Sequence, residues 1–286
     1  MLSIILPAKD EAESLCAILP RLASLHPEAE IIVVDDGSSD GTREICRQNN
    51  VNCIVHPYSK GNGAAIKTGA RAASGDVLVT MDADGQHRPE DVQPLLDHLA
   101  QGYDMVVGQR HHVAQATWGR RLANGLYNRL ASMVTGQVVK DLTSGFRAVA
   151  GGRFRRFLYL LPNGFSYPTS ITMAFFRAGY SVDYLPVQVE QRTGNSHIRP
   201  LRDGVRFLLI IFRIATLYSP LKIFFPVSFC FFALGISHYA YVYLSQGRFT
   251  NMSAMLFITA LLVFLIGLVS EQVTTLLYSR ESGQEN

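Results

Sequence analysis

Apolar residues follow two regimes along this chain. Up to about residue 200 they come in short runs separated by mixed stretches, and from 205 to 278 they dominate almost without interruption. The runs at 3–6, 30–35, 52–56, 77–81 and 104–107 are short and rich in Ile and Val, which predicts strands, with another at 182–190. Stretches at 11–24, 40–49, 62–73 and 89–100 between them read as helices, as do 117–135 and 168–178. Short apolar strands alternating with helices predict an α/β fold with a mostly parallel sheet covered on both faces. Such sheets bind ligands beyond the carboxyl ends of their strands. Here those ends carry the polar clusters at 7–11, 35–38 and 82–86.

The C-terminal regime predicts membrane spans. Residues 223–244 and 252–270 contain no charge, and the first would extend about 33 Å as a helix, enough for the hydrocarbon core. Only 245–251 separates them, so they predict a helical hairpin with both ends on one side. Arg199, Arg202, Arg206, Arg213 and Lys222 precede the first span, whereas the connecting loop holds only Arg248. The positive-inside rule then puts the N-terminal region in the cytoplasm of a multi-pass protein of the cell (inner) membrane. Within 205–218, Arg206 and Arg213 share one helix side with Arg202, and Phe and Ile residues surround them, as in an interfacial helix. The expected organisation is a catalytic domain at 1–200, an amphipathic juxtamembrane helix at 201–219, two transmembrane helices within 220–280 and a cytoplasmic tail at 281–286.

Composition sharpens this picture in three places. A 48% hydrophobic and 17% charged chain excludes disorder, and a net charge of +3 gives no argument for nucleic acid as a partner. Cys16, Cys46, Cys53 and Cys230 form no CxxC pair, which fits a reducing compartment. Met1 leads straight into a short apolar run with no basic flank, so no signal peptide is expected.

The chemistry starts at Asp82-Ala83-Asp84-Gly85-Gln86-His87, after the run at 77–81. Two carboxylates one residue apart at a strand end can both turn toward a hard divalent cation, Mg²⁺ or Mn²⁺, with Gln86 adding a carbonyl oxygen. Asp and Gly also favour plain turns, and the second acidic cluster upstream tips the balance toward a site. That cluster, Asp35-Asp36-Gly37-Ser38-Ser39-Asp40, follows 31–34; a carboxylate here can accept hydrogen bonds from a base or a ribose, and Glu11 would complete the cleft with Asp36. A P-loop is absent, and Lys60-Gly61-Asn62-Gly63-Ala64-Ala65-Ile66 has Ile66 where a dinucleotide fingerprint needs glycine. This disfavours an ATPase or NAD enzyme and leaves Lys60 as a positive charge near a nucleotide.

Together the strings PAKDE at 7–11, VVDDGSSDGT at 33–42, KGNGAAIKTGARAASGD at 60–76, MDADGQH at 81–87 and DLTSGFR at 141–147 resemble family 2 glycosyltransferases of the GT-A fold. Within that family they are similar to dolichyl- and polyprenyl-phosphate sugar transferases of the dolichol-phosphate mannosyltransferase type. The resemblance implies nucleotide contacts from Pro7, Ala8, Glu11, Asp35, Asp36, Lys60 and Asp82, and metal ligands among Asp82, Asp84 and Gln86. It implies catalytic roles for Asp84, Arg110, Ser144 and Arg192. Arg110, Ser144, Arg147, Arg192, Ser196 and His197 would contact the acceptor phosphate. Two departures stand out: Lys9-Asp10 replaces the usual aromatic-Asn pair, and His197 replaces a lysine, which would make that phosphate site more pH-sensitive.

The implied reaction is metal-dependent, inverting transfer of a sugar from a UDP- or GDP-sugar to undecaprenyl or dolichyl phosphate. A processive polysaccharide synthase would need a QxxRW motif and further spans, and neither is present. A non-catalytic membrane scaffold would predict damaged acidic motifs, yet Glu11, Asp36, Asp82 and Asp84 are all in place. The sugar, the base, the lipid length and the oligomeric state stay open, a homo-oligomer included.

Overall fold

The computed structural model describes residues 1–110, 125, 128–129, 131–133, 135–164, 166–189, 216 and 218–282. The chain divides into two units, Met1–Phe207 and Leu208–Asn286.

The first unit is built on a sheet of seven described strands. They are β1 (Leu2–Ala8), β2 (Glu30–Asp35), β3 (Asn52–Val55), β4 (Val77–Thr80), β5 (Met105–Arg110), β6 (Arg147–Ala150) and β7 (Val182–Val187), in the order β3-β2-β1-β4-β6-β5-β7. All neighbours run parallel except β6, which is antiparallel to both β4 and β5. β6 is the strand the sequence pattern does not announce: four residues, one of them charged, between Phe146 and Gly151.

Side-chain alternation explains how the sheet is covered. Ile4, Leu6 and Val33 point to the face packed by α1 (Ala12–Leu25) and α4 (Val92–Leu99), through Leu15, Leu19, Leu22 and Leu95. Ile5 and Val34 point the other way, toward α3 (Asn62–Ala72). α3 approaches closely because its sheet side is small: a Cβ on Gly69 would lie 2.4 Å from Ile5 Cγ2. Two-sided cover leaves Ile4, Ile5, Leu6, Ile32, Val33 and Val34 without solvent exposure.

Strand order fixes where a ligand can sit. The chain runs from β1 outward through β2 to β3, then returns so that β4 pairs with the other side of β1. The carboxyl ends of β2, β1 and β4 therefore lie side by side at the point where the winding reverses. Helices α2 (Thr42–Gln48), α5 (Gly151–Arg156) and α6 (Tyr167–Arg177) complete the described part of this unit.

The second unit contains α7 (Leu221–Gln246) and α8 (Asn251–Ser282), joined by 247–250 with Gly247 in the left-handed region at φ 64°. Each contains 26 residues long and apolar enough to cross a membrane, Leu221–Gln246 and Asn251–Leu276. Phe229, Leu244, Leu262 and Val269 are among their exposed apolar side chains. Within the pair, Ser228 Oγ donates to Ala260 O at 2.7 Å, and Gly235 and Gly267 admit Phe257 and Phe224. α8 runs well past the uncharged stretch at 252–270. Glu271 is accommodated because its carboxylate accepts from Ser219 Oγ and Leu221 N, capping the start of α7. Most of the interfacial helix expected at 201–219 and most of the helix expected at 117–135 lie outside the described residues.

Candidate active site

A cavity of about 350 Å³ opens at the carboxyl ends of β1, β2 and β4. Pro7, Ala8, Lys9 and Glu11 line it from the β1 end, Asp36 from the β2 end, and Asp82, Ala83 and Asp84 from the β4 end. Ser59, Gly61, Asn62 and Ala65 close it from α3 and the loop before it. Three of the five sequence motifs thus meet in one cleft, with a fourth, KGNGAA, as its wall.

The two acidic clusters differ in what holds them. Asp36 borders the cavity, but its oxygens accept from His56 Nδ1, Ser59 Oγ, Lys60 N and Gly61 N, all at 2.7–2.8 Å. Burial would raise its pKa, yet these donors together pull it below the ordinary carboxylate value. These bonds tie down the loop that forms the cavity wall, with Asp36 itself at the cavity's edge. Asp35 is corrected. Its side chain has no exposure and accepts from Ser38 N at 2.7 Å and Arg43 Nε at 2.6 Å, away from the cleft. Lys60 takes part through its main-chain N–H, while its exposed side chain lies over Tyr58.

The Lys9-Asp10 departure also has a structural account. Asp10 sits in the left-handed region at φ 55°, its N–H donates to Ser38 Oγ, and its Oδ1 accepts from Ser39 N at 2.7 Å. Asp and Asn are the non-glycine residues that tolerate this conformation best. Asp10 therefore clips the β1 end to the β2 end, and Lys9 is the residue of the pair that borders the cavity.

Asp82 and Asp84 both face the cavity, and Gln86 N donates to Asp84 Oδ1 at 3.1 Å. Among the described residues no group of three or more His, Cys, Asp or Glu side chains could hold a metal. Two carboxylates and an amide oxygen are nonetheless the donor set that suits Mg²⁺ or Mn²⁺, which keep several positions for phosphate oxygens and water.

Around Asp82 stand residues that motif reading passed over. Asn62 Nδ2 donates to Asp82 Oδ1 at 3.4 Å. His87 Nε2 lies 4.0 Å from Asp82 Oδ2, with its ring stacked on Phe146 at 4.9 Å. Burial lowers the His87 pKa to about 4, so the imidazole is neutral near pH 7. Gly145 presses against the same carboxylate: a Cβ there would meet Asp82 Oδ2 at 2.7 Å. The only sequence signals for these were Asn62 in a run of small residues and His87 closing the acidic motif.

The basic residues split. Arg110, at the end of β5, is half-buried and binds Asp141 in a fork, Nε to Oδ2 and Nη2 to Oδ1, each 2.9 Å, with Thr143 Oγ1 also accepting. Burial would lower its pKa, but the bond and charge of Asp141, then the charge of Asp82, leave it raised. Among the described residues Nη1 has no hydrogen-bond partner. Arg147 is corrected. It is wholly buried, and its guanidinium donates to Ser144 O, Pro168 O and Thr172 Oγ1. It cannot reach a phosphate and instead braces β6 against α6. Ser144 is corrected as well, being 1% exposed and part of a tight turn with Phe146. Arg192, Ser196 and His197 lie outside the described residues.

With this geometry in hand, comparison with known proteins decides the family. Residues 3–159 match glycosyl transferase family 2, and residues 219–276 match the GtrB C-terminal hairpin. The chain belongs to glycosyl transferase family 2. It is a glycosyltransferase, as the resemblance implied. Among its relatives, the glycosyltransferase AglJ of Haloferax volcanii is 29% identical over 84% of this chain and 80% of its own length. The polyprenol monophosphomannose synthase of Mycolicibacterium smegmatis is 30% identical over 66% of this chain and 77% of its own. The undecaprenyl-phosphate 4-deoxy-4-formamido-L-arabinose transferase of Proteus mirabilis is 35% identical over 51% of this chain, which spans only about half (48%) of that protein. In structure, glucosyl-3-phosphoglycerate synthase of Mycobacterium tuberculosis, solved with Mn²⁺, UDP and phosphoglyceric acid, gives a TM-score of 0.60 at 20% identity. That match covers 75% of this chain and 78% of that one. At that identity the likeness speaks for the fold alone, which is the GT-A class.

Proposed function

We propose that this glycosyltransferase moves a sugar from a UDP- or GDP-sugar to the phosphate of a polyprenyl lipid, undecaprenyl or dolichyl. The site would face the cytoplasm, and a single displacement would invert the anomeric carbon. One observation carries the reading: the Asp82–Asp84 turn shares a cavity with the ends of β1 and β2, in a chain that also carries two membrane-length apolar helices. The relatives named for transfer involving polyprenol and undecaprenyl phosphate support it. So does the UDP- and Mn²⁺-bound protein that shares the fold. Orientation rests on the basic residues leading into α7 against the single Arg248 in the loop that joins α7 to α8.

The acceptor explains why the cleft can work with few catalytic groups. A phosphate monoester has a second pKa of about 6 and is largely a dianion at neutral pH, so it is already a nucleophile. Repulsion between it and the donor diphosphate is the obstacle. A divalent cation held by Asp82, Asp84 and Gln86 would supply the charge that the departing diphosphate needs. Pro7, Ala8 and Glu11 would wall the nucleotide. Arg110 would offer Nη1 to the incoming phosphate while Asp141 holds the guanidinium plane still; a charge-assisted bond of this kind contributes about 1.5–3 kcal/mol. Arg192, Ser196 and His197 remain expected phosphate contacts. Catalysis is then mainly positioning plus electrostatics.

The test is a screen of labelled UDP- and GDP-sugars against undecaprenyl and dolichyl phosphate, using the full chain in lipid nanodiscs. One pairing should give a lipid-phosphate sugar of inverted configuration, lost in excess EDTA and restored by Mg²⁺ or Mn²⁺. Transfer that persists in EDTA, or a retained configuration, defeats the mechanism.

A further inference from the structure

We propose that Lys67 is a positioning residue for the donor nucleotide: it pins the loop at 161–164 against the first turns of α3, which form one wall of the cavity. The inference rests on the reading of that cavity as the nucleotide's seat, and adds to it a residue that does not itself line it.

The wall is held from two sides. On one side Asp36 accepts from Lys60 N and Gly61 N, and His56 links the same carboxylate to α3 through Thr68 Oγ1, 2.9 Å from its Nε2. On the other side lies the loop at 161–164. Ala64 N donates to Asn163 O at 3.0 Å, and the two backbones touch so closely that only glycine fits at two positions. A Cβ on Gly61 would lie 2.5 Å from Asn163 O, and one on Gly63 would collide with Pro162 O. Lys67 completes the seam, its Nζ donating to Leu161 O at 3.0 Å and to Asn163 Oδ1 at 2.6 Å. Gly61, Asn62 and Ala65, from the same turns, line the cavity. The loop is a firm abutment, because α6 beyond it is bonded to the turn before β6: Arg147 donates to Pro168 O, and Tyr167 Oη donates to Gly145 O.

Packing alone does not require a lysine here. α3 is already seated on the sheet through Gly69 against Ile5, and Arg155 of α5 caps its far end by donating to Ala70 O, Ala73 O and Gly75 O. The end that borders the cavity is the one Lys67 secures. Its ammonium is partly buried and, among the described residues, has no carboxylate partner: both oxygens it meets are neutral. Burial, then the charge of Arg71 one turn on, pushes its pKa down, so keeping the charge there is unfavourable in itself. An apolar side chain would pack beside Leu161 without that penalty, but it could not draw two oxygens of the loop onto α3. A nucleotide entering the cavity then meets a wall whose place is already set, which removes an ordering cost from binding. Loss of the clamp should therefore appear in nucleotide affinity and leave the chemical step alone.

The experiment measures dissociation constants for UDP and, in a separate arm, GDP by calorimetry on the full chain in nanodiscs with Mn²⁺, beside steady-state kinetics. Lys67→Met should weaken binding of the favoured nucleotide about tenfold and raise the KM for the nucleotide-sugar by the same factor, with kcat and the acceptor KM within about twofold. Lys67→Arg, which keeps two donors for the loop, should bind within about threefold of the parent. Without nucleotide, the backbone amides of 61–66 should exchange hydrogen faster in Lys67→Met than in the parent. If Lys67→Met fails to fold, Asn163→Ala at an exposed loop position carries the test, with a loss of about threefold. Unchanged nucleotide affinity in the variant measured overturns the proposal. So does a fall in kcat at unchanged affinity, or a Lys67→Arg variant no better than Lys67→Met. A parent protein that binds neither nucleotide removes the reading of the cavity and this inference with it, which is a different result from a binding parent with unaffected variants.

Discussion

The loops at the ends of β2 and β4 look alike in sequence, each a pair of aspartates beside glycine after an apolar strand, and yet the carboxylates have different surroundings. After β2, Asp35 and Asp36 sit in short hydrogen bonds from Ser38, Arg43, His56, Ser59 and two main-chain N–H groups. After β4, Asp82 and Asp84 line the cavity, and the groups that face Asp82 from Asn62 and His87 stand back at 3.4 and 4.0 Å. A carboxylate wrapped by short donors builds the cleft, because its lone pairs are taken. Asp82 and Asp84, facing the cavity, are the pair expected to meet a ligand.

The largest effect should come from breaking the second loop. Asp84→Asn removes a charge and a proposed cation ligand from the cavity but leaves the sheet untouched, so transfer should fall on the order of 10²–10³-fold. The melting temperature and membrane fraction should stay those of the parent. Transfer within threefold of the parent would place the metal elsewhere.

The same contrast separates two arginines that motif reading treats alike. Arg110 forms a fork with Asp141 and has no described hydrogen-bond partner at Nη1, whereas Arg147 gives its guanidinium to carbonyls inside the fold. Arg110→Lys keeps a charge beside Asp141 but loses the fork, and should raise the KM for the lipid acceptor roughly tenfold. Arg147→Met should leave that KM within twofold and lower stability by about 1–3 kcal/mol, because buried carbonyls lose their donors. Steady-state kinetics and thermal melts on both variants decide the matter. An acceptor KM that rises for Arg147→Met instead would restore it to the phosphate site.

Next in size is the first loop. In Asp36→Asn an amide NH₂ must replace one oxygen, so Ser59 Oγ and Gly61 N, or His56 Nδ1 and Lys60 N, would face a donor. The expected loss is about 2–3 kcal/mol, a fall of roughly 5–10 °C in melting temperature for a domain of this size. Activity per folded molecule should fall less than for Asp84→Asn. The reverse order would mean that Asp36 touches the nucleotide directly.

These cases show what the sequence could and could not reveal. The strand ends, the cavity's motifs and the two apolar helices are legible because backbone period and burial dictate them locally. What surrounds each carboxylate is not, since the partners come from elsewhere in the chain: His56 and Ser59 for Asp36, and Asn62 for Asp82. Arg147 reads as a phosphate ligand until Pro168 and Thr172 of α6 are seen to hold it. β6 escapes notice because a short antiparallel strand inside a parallel sheet draws its stability from β4 and β5, with little pattern of its own.

The smallest predicted effect tests whether the Lys9-Asp10 departure belongs to the loop that builds the cleft or to the loop that binds. Asp10 holds a left-handed backbone and joins the β1 end to Ser38 and Ser39. Asparagine tolerates the same conformation and offers the same acceptor oxygen to Ser39 N, so Asp10→Asn should change stability by less than about 0.5 kcal/mol. The KM for the nucleotide-sugar should stay within twofold. Asp10→Val forces a β-branched residue to positive φ and removes the acceptor, and should cost about 1–3 kcal/mol. The two thermal melts therefore differ in a direction fixed by backbone geometry alone. A nucleotide-sugar KM that shifts severalfold in Asp10→Asn while stability holds would mean that this side chain meets the base, and the division between a loop that builds and a loop that binds would have to be redrawn at its first residue.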